Sequence, residues 1–354
     1  MTTEHPGSSN SPTGTHLLTN ISSGLRRAWH PVMRASELLI EQPTRIELLG
    51  EPYVVTRFAN KVTAFVDRCP HRNARLSDGC VTNGHLQCPY HGWEFDSAGQ
   101  AQFIPALGAG ATLPPNSTLT PAHVKEHYDL IWIAPEDPVA ELLHIAEWDD
   151  PTLRKVWLPT VLVTASAGQL IDNFLDFGHF PFVHAGTFGA GEDANVHDYS
   201  VERSESGWGF VVDYAHSVTN KEDPKVETGE HPLMQPRIMR YEFQAPFSCN
   251  LHLEFPLTAM MNAIVMMCQP VNYNTTQLFM VMLRNDCPTD QLASEAIDYE
   301  MAIFAEDLKV VEFLYNKEIP LERGQFERGQ LHTRADRNTV EFRRIMQRLV
   351  TVKN

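Results

Sequence analysis

Two short stretches of this sequence set out metal ligands in matching pairs. Cys69-Pro70-His71 offers a thiolate and an imidazole, and after sixteen residues Cys88-Pro89-Tyr90-His91 offers the same two groups again. A zinc ion could use these four residues, but the common zinc fingers place both cysteines ahead of both histidines, whereas here each cysteine has its own histidine. Mixed pairs suit a two-iron, two-sulfur cluster in which two thiolates hold one iron and two imidazoles the other, an arrangement with a higher potential than an all-cysteine cluster. Cys80, Cys249, Cys268 and Cys287 have no such spacing and read as small buried hydrophobes or incidental thiols. His85, between the two halves, reads as exposed or as a structural hydrogen-bonder.

A second set of donors lies in the run Asp172-Asn173-Phe174-Leu175-Asp176-Phe177-Gly178-His179-Phe180-Pro181-Phe182-Val183-His184. Asn173, Asp176 and His179 are spaced by three, which places them near one face of a helix. An ideal helix would turn His184 about 140° away from His179, but Pro181 disfavours helix at Phe180 and allows a bend that returns the second imidazole toward the first. Two neutral histidines and one carboxylate on one side of a metal leave positions open for oxygen and substrate, as in non-haem Fe(II) oxygenases. The carboxylate must come from elsewhere. A long apolar stripe, Ile297, Met301, Phe304, Leu308, Val311 and Tyr315, marks a helix that carries Glu306, Asp307 and Glu312. Asp307 lies about 80° to one side of the stripe and Glu312 about 60° to the other, with Glu306 nearly opposite and so the poorest candidate.

With both motifs present in this order, the chain resembles the catalytic (alpha) component of the Rieske non-haem iron oxygenases, from about Arg26 to its end. Cys69-Pro70-His71-Arg72 and Cys88-Pro89-Tyr90-His91-Gly92-Trp93 are near the family's oxygenase consensus, and Phe304-Ala305-Glu306-Asp307 is similar to its single-polypeptide monooxygenase and demethylase branch. The resemblance implies a Rieske [2Fe–2S] cluster on Cys69, His71, Cys88 and His91, and a mononuclear Fe(II) on His179, His184 and Asp307. It matches Asp176 to a bridging carboxylate that accepts a hydrogen bond from a neighbouring subunit's Rieske histidine, here His91, in a head-to-tail homotrimer. Asn173 matches a polar residue near the iron.

The elements that must carry these groups divide the chain. Short β-rich runs at 44–49, 53–58, 61–67, 86–95 and 130–134 predict a small all-β domain, and a polar, Pro-punctuated stretch over 138–159 predicts a boundary. After it come a strand over 156–166, a helix over 167–180, further strands over 208–214, 238–242, 250–255, 263–268 and 277–283, and then the long helix. The expected fold is α+β: a tail over 1–24, a Rieske domain over 25–150, and a catalytic domain over 151–354. By resemblance, that catalytic domain is a helix-grip fold with a twisted antiparallel sheet and covering helices. Phe177, Phe182, Phe188, Met260, Met261, Met266 and Met267 lie in segments that could face its pocket, although core is the default reading of such residues. His252 could also line it. His30, in Trp29-His30-Pro31, reads as structural.

Composition limits the partners. With 28 Lys+Arg against 44 Asp+Glu the formal net charge is −16, which argues against a nucleic-acid ligand. No stretch supplies a spanning helix, and the polar start has no signal-peptide organisation, so a cytoplasmic location without membrane attachment is expected. Arg68, Arg72 and Arg75 crowd around the first motif, either as ordinary surface cations or as a docking patch for an acidic electron donor. No strand leads into Gly-x-Gly-x-x-Gly and no four-cysteine cluster motif occurs. NAD(P)H electrons are therefore expected to arrive through a flavin/ferredoxin-type reductase, with or without a separate ferredoxin. The expected reaction is O2-dependent hydroxylation of a small organic, aromatic substrate, with O- or N-demethylation as its outcome. The alternatives are cis-dihydroxylation of an aromatic ring and an electron carrier without oxygenase activity. Spacing places no arginine at the iron, which favours an apolar or neutral aromatic substrate.

Overall fold

The computed structural model describes residues 17–351 apart from 60, 192, 222, 315 and 323–329. Most of the expected tail and Tyr315 of the apolar stripe therefore lie outside the described residues.

The first half of the chain is mostly β, with short 3-10 turns at Ser23–Arg27, Ala35–Glu37 and Pro105–Leu107. Strands His30–Arg34, Leu130–Ala134, Pro121–His127, Lys61–Val66, Glu51–Phe58 and Thr44–Leu48 form one sheet in that order. Successive side chains of a strand point to opposite faces, so Tyr53 and Val55 enter one core cluster while Val54 enters another. Burial on both faces accounts for the unbroken apolar run there. A smaller sheet, Cys80–Thr82, His85–Gln87, Glu94–Phe95 and Ala101–Phe103, extends from it. The single run expected over 86–95 is thus two strands, separated by the turn that carries Cys88 and His91.

The second half is built on one antiparallel sheet. Its main path runs Arg154–Trp157, Thr275–Arg284, Met260–Asn272, Ser248–Phe255, Met234–Gln244, Gly209–Thr219 and Glu202–Arg203, and Val161–Val163 also pairs with Thr275–Arg284. The strand expected over 156–166 is therefore two pieces, interrupted near Pro159, which has no N–H for a ladder. Helices α1 (Ala167–Leu175), α2 (Phe180–Val183), α3 (Pro224–Glu227), α4 (Asp290–Val311) and α5 (Arg337–Thr351) complete this half. α1 starts at a capping box between Ser166 and Gln169, and Thr289 caps α4 through its side chain.

The helix expected over 167–180 ends at Leu175. Asp176 takes extended backbone angles, its side chain accepts from the Gly178 N–H, and the Asn338 side chain donates to the Leu175 carbonyl, which stops α1 without leaving its last carbonyl unpaired. Pro181 then sits in the first turn of α2, where its missing N–H costs nothing. Of the three residues expected on one helix face, only Asn173 lies within α1.

The two halves meet across the sheet. Trp29, Leu130, Trp132 and Ala134 form one core cluster with Ala263, Val265, Met267, Phe279, Val281 and Leu283. Residues 17–24, read from the sequence as the end of a tail, are instead part of the second half. Leu17–Leu18 pairs with Ile319–Pro320, and Leu18 is buried in the large core there.

Candidate metal centres and cavity

The two cysteine-histidine loops repeat one backbone design. In the first, the Asn73 N–H donates to the Cys69 carbonyl at 2.9 Å and the Cys69 N–H to the Ala74 carbonyl at 2.9 Å. In the second, Gly92 donates to Cys88 at 3.0 Å and Cys88 to Trp93 at 2.8 Å. The fifth residue of each loop has a positive φ, +56° at Asn73 and +69° at Gly92, a conformation suited to these two residue types. The loops bring the Nδ1 atoms of His71 and His91 to 3.1 Å, and His71 stacks on Trp93. Cys69 and Cys88 are buried, whereas both imidazoles are exposed.

Burial pushes the Cys69 thiol up to about 11 against hydrogen bonds from the His71 and Arg72 backbone, and Cys88 adds to the rise. Those backbone groups lower the cost of a thiolate there. Sheltered thiolates, amide donors beside them and two outward imidazoles suit a mixed-ligand [2Fe–2S] cluster. Arg68, Arg72 and Arg75 are exposed around the same loops. His85 lies 3.6 Å from Glu94, a structural contact.

The second set converges from three places: the Asp176–His179 turn, the end of α2, and α4. His179 Nε2 and His184 Nε2 are 3.1 Å apart, and Asp307 Oδ1 lies 3.4 Å and 3.3 Å from them. That oxygen is buried with no hydrogen-bond partner. Three donors facing one another at these distances suit a cation between them, since a metal about 2.1 Å from adjacent ligands sees them roughly 3 Å apart.

Each histidine is held from behind. His179 Nδ1 lies 3.1 Å from Asp176 Oδ2, and His184 Nδ1 lies 3.0 Å from Glu306 Oε2. Burial opposes charge on His179, but Asp176 and Asp307 outweigh it and hold this imidazole up at about 9. Burial also raises Asp307, yet the facing imidazoles of His179 and His184, with Asn173 beside them, bring it well below the usual carboxylate range. The raised His179 reports a negative field that favours a cation at the convergence point, and the lowered Asp307 keeps its carboxylate ionised there. Glu312 faces elsewhere, toward the Thr164 N–H.

Gly189 secures the turn that carries His184. Its N–H donates to the His184 carbonyl at 2.9 Å, and a Cβ there would meet the Phe180 carbonyl oxygen at 2.0 Å. The neighbour is backbone and cannot rotate away. Gly189→Ala is expected to cost roughly 1–3 kcal/mol of stability. Denaturant unfolding measures this, and an unchanged midpoint and slope would show that the turn is not so tightly pinned.

Beside the three donors lies a cavity of ≈ 870 Å³ including its mouth. Its floor is the inner face of the sheet, with Tyr241, Leu251, Leu253, Ile264 and Met280, and its roof includes Phe174, Ile303 and Phe304. Among the residues singled out from sequence, Phe188, Met260 and Met266 line it. Met261 and Met267 alternate to the opposite face and pack toward the first half. Phe177 stacks on Tyr214 in the core, and Phe182 is 72% exposed. His252 is held between Glu147 and Glu254, away from the cavity lining. His30 is fully buried against the Leu25 carbonyl, as a structural residue would be.

Spacing gave no sign of an arginine here, but Arg237 lines the cavity. Its guanidinium lies 4.6 Å from the Phe188 ring, and its Nε donates to His216 Nε2 at 3.0 Å. Burial and Arg237 push His216 down to about 2, so it stays neutral and accepts. Strand pairing of His216 with Arg237 sets this arrangement, and no local spacing rule reveals it. Asn220, Asn262 and Glu300 add polar groups to the lining. The preference for a neutral aromatic substrate therefore loses the support it drew from the lack of an arginine.

Among the described residues no helix is long and apolar enough to cross a membrane.

Comparison with known proteins identifies the family of both halves. Residues 28–119 match the model of the Rieske [2Fe-2S] domain, and residues 163–351 match that of the vanillate O-demethylase oxygenase C-terminal domain. The chain is 29% identical over 332 residues to methylxanthine N1-demethylase NdmA of Pseudomonas putida, covering 92% of this chain and 89% of that protein. Over 165 residues, 45% of this chain and 48% of the other, it is 41% identical to the oxygenase component of dicamba O-demethylase of Stenotrophomonas maltophilia. Its structure superposes on Pseudomonas putida NdmA with caffeine at a TM-score of 0.77 and 29% identity, over 92% of this chain and 90% of the other.

Proposed function

Because this chain belongs to the Rieske non-haem iron oxygenases, with a catalytic domain of the vanillate O-demethylase oxygenase type, we propose that it is the terminal component of a cytoplasmic multicomponent demethylase. Its substrate is a small aromatic compound bearing an O- or N-methyl group. Residues 25–150 form its Rieske domain and 151–354 its catalytic domain. Cys69, His71, Cys88 and His91 hold the cluster, and His179, His184 and Asp307 hold the mononuclear iron. The observation that carries this reading is the buried, unpartnered Asp307 Oδ1 facing two imidazole nitrogens at the edge of a largely apolar cavity.

When bound, the two iron centres supply electron delivery and oxygen activation, with electrons that reach the chain from NAD(P)H through a separate reductase, with or without a ferredoxin. The residues do the rest. The sheet floor and the aromatic roof hold the substrate ring and keep water away from its methyl carbon. Asn173, which lines the cavity with Asp307, helps to keep that carboxylate ionised. Asp176 keeps the His179 proton on Nδ1, so that Nε2 faces inward. Hydroxylating a methyl carbon bound to oxygen or nitrogen leaves a product that collapses to an aldehyde, so demethylation is hydroxylation followed by loss of formaldehyde.

We further propose a homotrimer in which Asp176 meets His91 of the next copy. The outward imidazoles of His71 and His91 and the side chain of Asp176, 32% exposed, are placed for such a contact.

The deciding assay supplies the iron-loaded protein with a surrogate reductase and a panel of methoxylated and N-methylated aromatics. Formaldehyde release matched to oxygen uptake is the expected result. A cis-dihydrodiol carrying both oxygen atoms of O2 would move the reading to ring dihydroxylation. About two irons per chain instead of about three would leave only an electron carrier.

A further inference from the structure

The α4 carboxylate whose helical angle makes it least suited to be a ligand lies against one of the two histidines. Glu306 points away from the apolar stripe of α4, and that direction brings it behind the His184 ring. Its Oε2 lies 3.0 Å from His184 Nδ1 and accepts from the Thr187 hydroxyl at 2.8 Å. Its other oxygen, Oε1, occupies the space left by Gly186, where a Cβ would stand only 2.6 Å from it. Its side chain is 17% exposed and that of His184 2%.

We propose that Glu306, seated by Thr187 and by the missing side chain of Gly186, is a positioning residue that fixes the proton and the orientation of His184. This rests on the reading that His179, His184 and Asp307 hold the mononuclear iron. A neutral imidazole has one N–H. A carboxylate at Nδ1 accepts that proton's hydrogen bond, so Nε2 presents its lone pair inward and becomes a stronger donor. Thr187 strengthens the arrangement, because a hydroxyl donating to Oε2 holds the carboxylate in the plane where it meets the ring. α4 thus grips the site twice through consecutive residues, from the front with Asp307 and from behind with Glu306.

The two histidines are supported alike but placed differently. Asp176 supports His179 from a turn that is 32% exposed on its side chain, whereas the support of His184 is more enclosed. Exposure of the first suits a group that an outside partner must reach. Enclosure of the second suits one whose only task is to keep a ligand in place.

The test measures iron affinity by chelator competition on the full chain carrying its cluster, so it does not depend on turnover. Glu306→Leu is expected to weaken iron binding by about 10- to 100-fold, with the cluster absorbance and thermal midpoint retained. Glu306→Gln should lose less, since its carbonyl still accepts from Nδ1–H. Thr187→Val and Gly186→Ala, which disturb the seat and not the acceptor, should fall between wild type and Glu306→Leu. Wild-type affinity in Glu306→Leu, while His184→Ala loses its iron, would overturn the proposal. If Glu306→Leu does not fold, wild-type affinity in both Glu306→Gln and Thr187→Val would overturn it instead. Iron retained in His184→Ala would refute the underlying ligand assignment, a failure distinct from either.

Discussion

Asp307→Ala is expected to leave the cluster spectrum unchanged, to lower the iron content from about three to about two per chain, and to abolish substrate turnover. Neither of the other two carboxylates weighed for this place, Glu306 and Glu312, is free to substitute. Glu306 Oε2 is committed to His184 and Thr187, and Glu312 faces the Thr164 N–H at the end of α4. The side chain is not held for local stability either, because its buried Oδ1 has no partner of its own. Loss of the carboxylate removes a ligand and the negative charge that offsets a dication, so turnover should drop on the order of 1,000-fold or more. Glu312→Ala is the matched control, with near-normal iron and activity. A third iron and substantial turnover in Asp307→Ala would refute the assignment, and loss of iron in Glu312→Ala would redirect it.

Asp176→Asn is expected to keep both metal sites and the trimer while slowing turnover roughly 100-fold. The carboxylate works as an acceptor on both oxygens, Oδ1 from the Gly178 N–H at 3.0 Å and Oδ2 from His179 Nδ1 at 3.1 Å. An asparagine replaces one acceptor by an N–H donor, so at one of these contacts two donors face each other. The mismatch disturbs the orientation of His179 and removes the charge proposed to meet His91 of the neighbouring copy. Single-turnover measurements separate the two effects. Cluster oxidation should slow as much as product formation if the bridge carries electrons, whereas product formation alone should slow if only His179 is misplaced. Normal turnover in an intact trimer would exclude Asp176 from the electron route.

Gly189→Ala and the Glu306 series probe the same turn from other sides. Together with Asp307→Ala they separate loss of a ligand, loss of its support and loss of the backbone that carries it.

Much of this protein could be read before any fold was known, because its chemistry depends on residue types at short range. A cysteine-proline-histidine turn and a cysteine-proline-tyrosine-histidine turn are local objects. Each brings a thiol and an imidazole together within a few residues, and the positive-φ positions at Asn73 and Gly92 follow from the same loops. The α+β class, the strands of the first half and the long helix α4 are likewise expressed as periodicity along the chain, with periods of two and 3.6 that need no distant partner.

Sequence expectation and structure diverge where local and tertiary preferences compete. The pattern over 167–180 is helical in spacing, but Asn338 from α5 takes the last carbonyl of α1, and the chain turns at Asp176 instead of continuing. The angles of Asp307 and Glu312 on α4 were comparable, and geometry along one helix could not choose between them. Their difference arises from where the Asp176–His184 turn lies against α4. Met260 and Met266 face the cavity while Met261 and Met267 face the first half. One register of the sheet assigns all four at once, and composition carries no record of that register. Arg237 enters the cavity through its pairing with His216 across two strands, and Glu306 reaches His184 across 122 residues of sequence. Donor types and their order along the chain are properties of the sequence. Which donors face one another, and which stand behind them, depends on long-range packing, because the distances that matter are set between elements far apart in the chain.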